Sequence, residues 1–508
     1  MNIGILTEAL INVFSPATLF WMAFGMLIGV IFGAIPGLSG NLGIILFLPF
    51  TRSMPLADAV IFLTCIFCGG EFGGSISAIL IGTPGTNSAT CTMLEGYPLA
   101  KAGHAKKALM MALTASCIGG VLSSLSLLLF APVLARYTLK FGPPEYFAIA
   151  VFGLSIIASL SGKSLLKGLF SGAVGIMLSL IGIDAVSGMT RLTFDNIMLY
   201  NGITLISLLT GMFAFSSILE KVGQVFQKDV KGEAVAINNK ERLSLSEVWG
   251  LKKTLLKSSL LGIFIGVVPG AGTGIASFIS YNEAKRTSRH PEEYGKGSYE
   301  GIAAVESSNN GVTAASLIPL LTLGLPGSPS AAVLIGAFTM KGLSVGPMLF
   351  RENGVMMYTI MMGVLLANLF MFVEGKYLSG ALAKITRIPD EVMAPLLMIV
   401  CAAGVISVNN SSFDLLIFIA AGTVAYLLQK LNVPVVPAVL GFVLGSMMDS
   451  NLRKALIMTQ GSFLSILKRP ISGTILLLTV IVLILTLRKE FRQGKSKMNG
   501  VIQHGEND

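Results

Sequence analysis

Long apolar segments separated by short polar ones occupy most of the chain, and their length is the strongest pattern in the sequence. A helix needs about 20 apolar residues to cross the hydrocarbon layer of a bilayer. Ten segments come close to that length or exceed it without a break, and each predicts a membrane-spanning helix. They are 18–35, 108–132, 143–160, 166–183, 197–219, 355–373, 391–406, 413–429, 433–449 and 473–487.

Two longer apolar stretches, 58–94 and 255–340, are interrupted by glycine and proline. Proline removes a backbone donor and glycine permits conformations that a helix excludes. These stretches therefore predict Pro-Gly-broken helices or re-entrant hairpins. Together with the unbroken segments they predict an all-α integral membrane protein with about 10–12 transmembrane helices.

The interruptions recur in the same order in two parts of the chain. Residues 29–43 read GVIFGAIPGLSGNLG, and residues 262–276 read GIFIGVVPGAGTGIA. A second Pro-Gly pair follows each of them, within 79–103 and within 321–343. The sequence therefore predicts an internal repeat with two breaks in each copy.

The separation of the matched prolines divides the chain. Pro36 and Pro269 are 233 positions apart, and Pro84 and Pro326 are 242 positions apart. Two repeats of about that length are expected. A short surface helix is predicted after Ser244, and the tail is predicted to be disordered. The predicted division is a first membrane repeat at 1–219, a polar cytoplasmic linker at 220–257, a second membrane repeat at 258–487 and a cytoplasmic basic tail at 488–508.

Composition and charge agree with a membrane location. Of 508 residues, 53% are hydrophobic and only 12% are charged, and the mean hydropathy is +0.78. The net charge of +10 arises because lysine and arginine concentrate in loops and in the tail. Basic loops are typical of the cytoplasmic side of a membrane protein. We therefore place 101–107, 221–257 and the tail in the cytoplasm, and we expect no nucleic-acid partner.

The Pro-Gly breaks are the expected substrate site. Non-helical backbone is tolerated at membrane depth only where it is buried in protein or lines a wet cavity, and paired interruptions in two halves point to a transporter site. Helix N-termini at the breaks would attract an anion. The alternative is that proline and glycine are simply frequent in membrane helices. The predicted substrate-binding residues are Gly37, Ser39, Asn41, Thr83, Gly85, Thr86, Asn87, Gly270, Thr273, Gly327, Ser328 and Asn310.

Acidic and amide residues form the candidate ion-coupling group. The segment YEGIAAVESSNNG at 299–311 places Glu306, Asn309 and Asn310 before an apolar run, and a carboxylate within a membrane is a functional candidate. The alternative makes Ser308 or Asn309 the N-cap of the next helix. Glu71 lies within the membrane or faces water at a hairpin end, and its role stays open. Four aspartates at predicted span ends are expected to be solvated: Asp184, Asp195, Asp414 and Asp449.

The sequence offers little for catalysis. The three histidines are scattered in loops, and Gly162-Lys163-Ser164 lacks the earlier glycine of a phosphate-binding loop. We find no nucleophile paired with a base. The prediction is that the chain is not an enzyme and has no cofactor and no bound metal, apart from sodium as a coupling ion.

Six segments together resemble the large membrane subunit of the tripartite tricarboxylate transporter family. The resemblance runs from about residue 20 to residue 480. It departs from the family pattern at Glu71, where a neutral residue is usual, and at ESSNN, where the family has an EAANN-like segment. The segments are GAIPGLSGNLGIILFLPFT, GGSISAILIGTPG, LEGYPLAKAGHAKKAL, GVVPGAG, HPEEYGKGSYEGIAAVESSNN and LIPLLTLGLPGSPSAAVLIGA.

The resemblance implies a multi-pass secondary transporter of the bacterial inner membrane. It implies two partners, a small four-span membrane subunit and a periplasmic solute-binding protein that delivers a carboxylate such as citrate. It also implies symport with an ion, typically sodium, and no use of ATP. By analogy with similar systems we expect the two repeats to be inverted relative to each other and to work by an elevator mechanism. A homo-oligomer is left open, as are two other hypotheses, a polytopic enzyme acting on a lipid or sugar phosphate and a passive channel.

Overall fold

The computed structural model describes residues 3–36, 38–160, 164–184, 186–225, 241–385 and 390–505. These residues fold almost entirely into α-helices, with one hairpin of two very short strands. The prediction of an all-α protein is confirmed.

Twenty-three α-helices follow one another through the described residues. They are α1 (Ile3–Val13), α2 (Pro16–Ala34), α3 (Gly40–Phe47), α4 (Leu56–Ile81), α5 (Ala89–Leu99), α6 (Ala105–Thr138), α7 (Pro143–Leu160), α8 (Leu165–Ser179), α9 (Leu205–Leu209), α10 (Ser216–Val225), α11 (Leu245–Gly250), α12 (Lys252–Val267), α13 (Gly272–Thr287), α14 (Tyr299–Ala315), α15 (Leu317–Leu323), α16 (Pro329–Met340), α17 (Pro347–Glu352), α18 (Gly354–Ile385), α19 (Asp390–Asn409), α20 (Ser412–Lys430), α21 (Val436–Met458), α22 (Phe463–Lys468) and α23 (Pro470–Gly505).

Shorter elements connect some of these helices. The antiparallel strands β1 (Gly182–Ile183) and β2 (Thr190–Arg191) form the hairpin. Turns of 3₁₀-helix occupy Pro49–Ser53, Ile197–Leu199 and Pro291–Glu293, and π-helical turns occupy Ala100–His104 and Thr210–Phe215.

Seven helical stretches of the described residues are long and apolar enough to cross a membrane, which agrees with a multi-pass membrane protein. Five shorter apolar helices accompany them. The prediction of about 10–12 crossings stays a prediction, because helices of that shorter length can also end inside the membrane. The seven are Pro16–Ala34, Leu56–Ile81, Ala89–Thr138, Leu205–Gly223, Gly354–Leu378, Ser412–Lys430 and Pro470–Arg488.

Two predicted span boundaries and the predicted disorder of the tail are wrong. The span predicted at 197–219 begins only at Leu205, and the one predicted at 166–183 ends at Ser179, because the residues between them form the hairpin and a 3₁₀ turn. The tail predicted to be disordered continues α23 as far as Gly505. Arginine, lysine, glutamate and glutamine are good helix formers, and extending an existing helix avoids the cost of nucleation.

The described residues form two compact units. Unit 1 comprises 1–139 and 206–426, and unit 2 comprises 140–205 and 427–508. Each unit contains parts of both predicted repeats. The repeat boundaries themselves stay predictions, and part of the predicted linker, 226–240, lies outside the described residues. The short helix predicted after Ser244 is confirmed as α11, where Ser244 and Glu247 form a capping box.

Unit 1 is held together by helices that pack through glycine. Gly29 of α2 faces the Ile66 carbonyl of α4, and Gly262 of α12 faces the Ser308 carbonyl of α14. A Cβ atom at either glycine would overlap that carbonyl, so only glycine allows the two helices to approach this closely. The two glycines are 233 positions apart and the two carbonyl residues 242, the same separations as those of the matched prolines.

Unit 2 contains α7, α8, α21 and α23 with the strand hairpin. Asp184, beside β1, accepts a hydrogen bond from Arg453 of α21 at 2.7 Å and forms an ion pair with Arg191 of β2. Only 8% of Asp184 is exposed, so the prediction that it is solvated is wrong, because these partners cover it. In unit 1 the same prediction is wrong for Asp414, which is buried, whereas Asp195 of unit 2 is exposed as predicted.

Candidate functional site

The chain reverses direction at the Pro-Gly breaks of unit 1. Lys257 near the start of α12 forms an ion pair with Glu283 near the end of α13, with 2.5 Å between Nζ and Oε1. The two helices therefore lie side by side, with the third break at their common tip. At the first break, Phe47 of α3 packs edge-on against Phe32 of α2, with ring centroids 6.2 Å apart. Both are helical hairpins at a break, and their re-entrant placement in the membrane stays a prediction.

The helices that lead into matched breaks end in the same way. Gly82 follows α4 with φ 70° and Gly324 follows α15 with φ 75°. Left-handed backbone is cheap only for glycine, which explains a glycine two residues before each proline. Ile35 after α2 and Val268 after α12 both adopt an extended conformation with ψ 118°. Equivalent backbone at equivalent positions is what a repeat requires, while the inverted relation of the repeats stays a prediction.

Several of the predicted substrate residues meet at the breaks. The Gly270 amide donates to the Gly327 carbonyl at 3.2 Å, joining the third and fourth breaks. The Ser330 hydroxyl donates to the Asn41 side-chain oxygen, joining the fourth break to the first. Gly85 of the second break lies against the Gly33 carbonyl of α2. Residues from all four breaks therefore lie in one region of unit 1.

Two of the predicted serines cap the helices that leave the breaks. The Ser39 hydroxyl accepts a hydrogen bond from the Leu42 amide at the start of α3, at 3.3 Å. The Ser328 hydroxyl accepts one from the Ala331 amide at the start of α16, at 3.1 Å. Capping satisfies one backbone donor at each helix start and leaves the other N–H groups of the first turn available.

Glu306 is buried within a group of hydroxyls. Its carboxylate accepts hydrogen bonds from Ser75 of α4 at 2.5 Å and Ser116 of α6 at 2.9 Å, and from Thr92 of α5. None of the Glu306 side chain is exposed. Within the part of the chain that the structure describes, no lysine, arginine or histidine forms an ion pair with it. Three hydroxyl donors therefore hold a carboxylate whose charge has no cationic side chain as a partner.

The two asparagines beside Glu306 have unsatisfied amides. Asn309 and Asn310 are completely buried, and neither the nitrogen nor the oxygen of either side chain has a hydrogen-bond partner among the described residues. Burying an amide without a partner is costly, so such groups call for a ligand. Both lie in the middle of α14, which begins at Tyr299 with Ser298 as its N-cap. The alternative that Ser308 or Asn309 caps a helix is therefore wrong.

Glu71 lies inside α4 and is 8% exposed, so it does not face water at a hairpin end. Ser88, just after the second break, donates to Glu71 Oε2 at 2.7 Å, and Thr273, just after the third break, donates to Oε1 at 3.3 Å. Thr86 completes the group through a 2.9 Å hydrogen bond with Ser88. Glu71 thus connects a break of the first predicted repeat to one of the second.

Comparison with known proteins agrees with this architecture. Residues 19–440 match the Tripartite tricarboxylate transporter TctA family. The chain belongs to this family. A TctA protein is a transporter membrane subunit, so the chain is a multi-pass subunit of the tricarboxylate transporter type.

Two relatives of this chain come from Agrobacterium vitis. One, described as an uncharacterized 52.8 kDa protein in TAR-I ttuC' 3'region, is 34% identical over 486 residues, which cover 95% of this chain and 96% of that protein. The other, described as an uncharacterized protein in TAR-II ttuC' 3'region, is 34% identical over 237 residues, 47% of this chain and 98% of that protein. No solved structure matches the chain.

Three other predicted substrate-binding residues of this chain take no part in the contacts described above. Thr83 is half-buried and Asn87 is exposed; the Asn87 backbone and Cβ lie close to Gly274, at the start of α13. Gly37 lies outside the described residues. Across the described ranges, no group of three or more histidine, cysteine, aspartate or glutamate side chains is placed to hold a metal ion.

The sequence analysis missed several residues that contact Glu306 or the first break. Ser75, Thr92 and Ser116 are single hydroxyls within apolar runs, and no spacing marks them as partners of Glu306. Lys221 of α10 was assigned to the polar linker, yet it is 6% exposed and donates to the Pro36 carbonyl at 3.3 Å. Only its place at the end of a predicted span could have drawn attention to it.

A buried carboxylate on α5 was also missed. Glu95 accepts hydrogen bonds from the backbone amides of Gly295 at 2.6 Å and Ser298 at 2.7 Å, and from the Tyr281 hydroxyl at 2.6 Å. These bonds fix the loop between α13 and α14 against α5. Its role is structural, because its oxygens are already satisfied.

Proposed function

We propose that this TctA-family chain imports a small carboxylated anion, a citrate-like tricarboxylate or a related dicarboxylate, by symport with sodium. The observation that carries the proposal is the meeting of four Pro-Gly breaks in one region of unit 1, together with two completely buried asparagines of α14 in the same unit whose amides have no partner among the described residues. A site of free backbone N–H groups and amides is suited to carboxylate oxygens.

Charge at the breaks favours an anion near α3 and α16. Both helices begin at the breaks with capped N-termini, so their remaining N–H groups and dipoles attract negative charge. Lys221 adds a positive charge at the Pro36 carbonyl. The neutral side chains of Asn41 and Ser330 lie between these helices. We assign Ser39, Asn41, Ser328 and the glycines of the breaks to the anion.

Charge around Glu306 favours a cation instead. A buried carboxylate is costly to ionise without a counter-charge, and Glu306 has hydroxyl partners but no ion pair among the described residues. Binding of a coupling ion would supply that counter-charge, and Asn309 and Asn310 lie on the same helix within one turn. A cation at Glu306 and an anion at the breaks would each lower the cost of burying the other charge, so the two would bind together. This is the physical basis of symport.

The proposal includes the surroundings of the chain. It acts as the large membrane subunit in the bacterial inner membrane, with a small membrane subunit and a periplasmic solute-binding protein as partners, and it moves substrate by an elevator motion of unit 1. Family membership supports the tripartite assembly. No observation favours the alternative of an intramembrane enzyme.

The experiment is uptake of radiolabelled citrate and other di- and tricarboxylates. The chain is expressed with the small subunit and the binding protein encoded beside it, with and without an inward sodium gradient. The proposal expects accumulation that requires both partners and collapses without sodium. Equal accumulation in the absence of sodium would exclude sodium symport, and no accumulation of any carboxylate would exclude the substrate class.

A further inference from the structure

Glu71 is a second intramembrane carboxylate that the anion site does not explain. Like Glu306, it is buried, and the hydrogen bonds that it accepts within the described residues come from hydroxyls, here Ser88 and Thr273. No lysine, arginine or histidine within the described ranges forms an ion pair with it. A fixed negative charge beside an anion site would weaken anion binding unless another charge cancels it.

An unsatisfied amide lies beside the same group. The Asn309 amide is within reach of the Glu71 carboxylate, and neither its nitrogen nor its oxygen completes a hydrogen bond among the described residues. Two carboxylate oxygens and two hydroxyl oxygens are therefore brought together by α4, the second break and α13, with the amide of α14 next to them. Hard oxygen ligands in this number suit a small hard cation.

We propose that Glu71, Ser88, Thr273 and the Asn309 amide oxygen form a site for a monovalent cation of sodium size, separate from the Glu306 site. The proposal rests on the ion-coupled transport proposed above and adds a second cation position to it. It also reassigns Thr273, predicted to bind substrate, to the cation, and Thr86, likewise predicted to bind substrate, supports the site through its hydrogen bond with Ser88.

A proton alone would leave part of the group unsatisfied. Protonation turns one Glu71 oxygen into a donor and cancels the charge, but it offers nothing to the Asn309 amide oxygen. A cation can accept lone pairs from the amide, both hydroxyls and the carboxylate together, because a serine or threonine hydroxyl can rotate its hydrogen away. The Asn309 oxygen is the atom that distinguishes the two occupants.

The two carboxylate groups share no hydroxyl partner. Glu306 is held by Ser75, Thr92 and Ser116, whereas Glu71 is held by residues just after the second and third breaks. A cation at Glu71 would hold those two breaks together, one from each predicted repeat. Its binding would therefore assemble the anion site before the substrate arrives.

The test measures sodium binding without transport. The full-length chain is purified in detergent, and its unfolding temperature is followed as sodium chloride replaces choline chloride at constant ionic strength and without substrate. A ligand that binds only the folded state raises this temperature. Wild type should be stabilised by sodium, and Glu71→Gln should need at least about tenfold more sodium for the same shift, the loss typical of a disrupted ion site.

Glu374→Gln is the matched control, because Glu374 is a carboxylate of α18 that belongs neither to the hydroxyl group around Glu306 nor to the one around Glu71. The sodium concentration that gives half of the full stabilisation, the sodium midpoint, should match that of wild type. Thr273→Val replaces a hydroxyl by a methyl of similar size and covers the case in which Glu71→Gln does not fold. A wild-type sodium midpoint in Thr273→Val, or in a folded Glu71→Gln, would overturn the proposal.

A second arm repeats the titration at pH 6 and pH 8. A Glu71-dependent stabilisation that follows pH but not sodium would identify a proton and also overturn the sodium site. Failure of carboxylate uptake would count against the proposed function alone, since sodium binding is measured here with no substrate present.

Discussion

At the scale of single residues, buried asparagines of unit 1 differ in whether their amide nitrogens are satisfied, while the side-chain oxygens of both Asn368 and Asn310 lack a partner among the described residues. The Asn368 amide nitrogen donates to Ser124 at 3.0 Å and to the Val364 carbonyl at 2.9 Å. The Asn310 amide has no partner among the described residues. Both side chains are completely buried. A satisfied amide contributes to folding, whereas an unsatisfied one costs stability and is explained by a ligand.

Asn310→Ala should therefore separate function from stability. Removing an amide that bonds a charged ligand should lower uptake about tenfold or more, because such hydrogen bonds contribute about 1.5–3 kcal/mol. The unfolding temperature in detergent should change little, since no hydrogen bond within the protein is lost. Uptake and unfolding are measured on the same preparations.

Asn368→Ala is the matched control for that experiment. It should lower the unfolding temperature, because two buried hydrogen bonds are lost at about 1 kcal/mol each. If Asn310→Ala retained normal uptake, or lost as much stability as Asn368→Ala, the assignment of Asn310 to a ligand would be wrong.

At the scale of elements, the breaks could be predicted from the sequence and their partners could not. Proline and glycine act locally, so the helix ends at Gly82 and Gly324 follow from residues a few positions apart. The hydroxyls around Glu306 come from three other helices, and contacts between residues 190 to 231 positions apart leave no local pattern. The β1–β2 hairpin was missed for another reason, because Gly182–Ile183 continues an apolar run.

The close packing of α12 on α14 predicts a strong effect at Gly262. Gly262→Val should push the two helices apart, because its side chain would occupy the space of the Ser308 backbone. The cost of overpacking is about 1–3 kcal/mol or more, so the unfolding temperature and the yield of monodisperse protein should both fall. Gly250→Val, where nothing lies within 4 Å of a new Cβ, should behave as wild type. Equal stability of the two variants would contradict this packing.

The hairpin of unit 2 should depend on pH through Asp184. The Ser187 hydroxyl, backbone amides and Arg191 hold the pKa of Asp184 well below its usual range. A carboxylate with a lowered pKa stabilises the fold above its unfolded pKa, about 3.9, and loses that contribution as pH falls towards the folded value. Protection of the 182–191 amides against hydrogen exchange, taken relative to the intrinsic exchange rate at each pH, should therefore fall below about pH 4.

Asp184→Asn tests this origin. The variant should exchange faster than wild type already at pH 7 and show a flatter acid dependence. Asp195→Asn in the same loop is the control, since Asp195 is exposed and should leave the profile unchanged. An acid dependence that persists in Asp184→Asn would assign it to another group.

At the scale of the whole molecule, chain connectivity and the basic loops give one consistent sidedness. Four helical passages, α6, α7, α8 and α9 with α10, separate the basic segment 101–107 from the linker. If each crosses, both segments lie on one side, the cytoplasmic side by their charge. The strand hairpin, between the second pair of passages, then lies outside. The Arg453–Asp184 contact places the end of α21 with it, and α23 returns the basic tail to the cytoplasm.

Cysteine labelling tests this sidedness. Asp195→Cys, just after β2 of the hairpin, should react with a membrane-impermeant maleimide in intact spheroplasts, whereas Lys101→Cys and Lys253→Cys should react only after permeabilisation. All three positions are exposed, so differences in labelling report the side of the membrane. Four of the five native cysteines are buried, and Cys117→Ala removes the half-buried one from the background.

The labelling pattern also decides whether the third break is re-entrant from the cytoplasm. Lys253 lies at the start of α12, and the Lys257–Glu283 ion pair holds the end of α13 beside it. A cysteine at Lys285, near that end, must then share the side of Lys253→Cys, because the chain turns back at Pro269 instead of crossing. Opposite accessibility of Lys253→Cys and Lys285→Cys would mean that α12 and α13 cross the membrane as one continuous span. That result would exclude the Lys257–Glu283 ion pair and the broken-helix site for the protein in the membrane. Shared cytoplasmic accessibility would place the third break inside the membrane, as the broken-helix site requires.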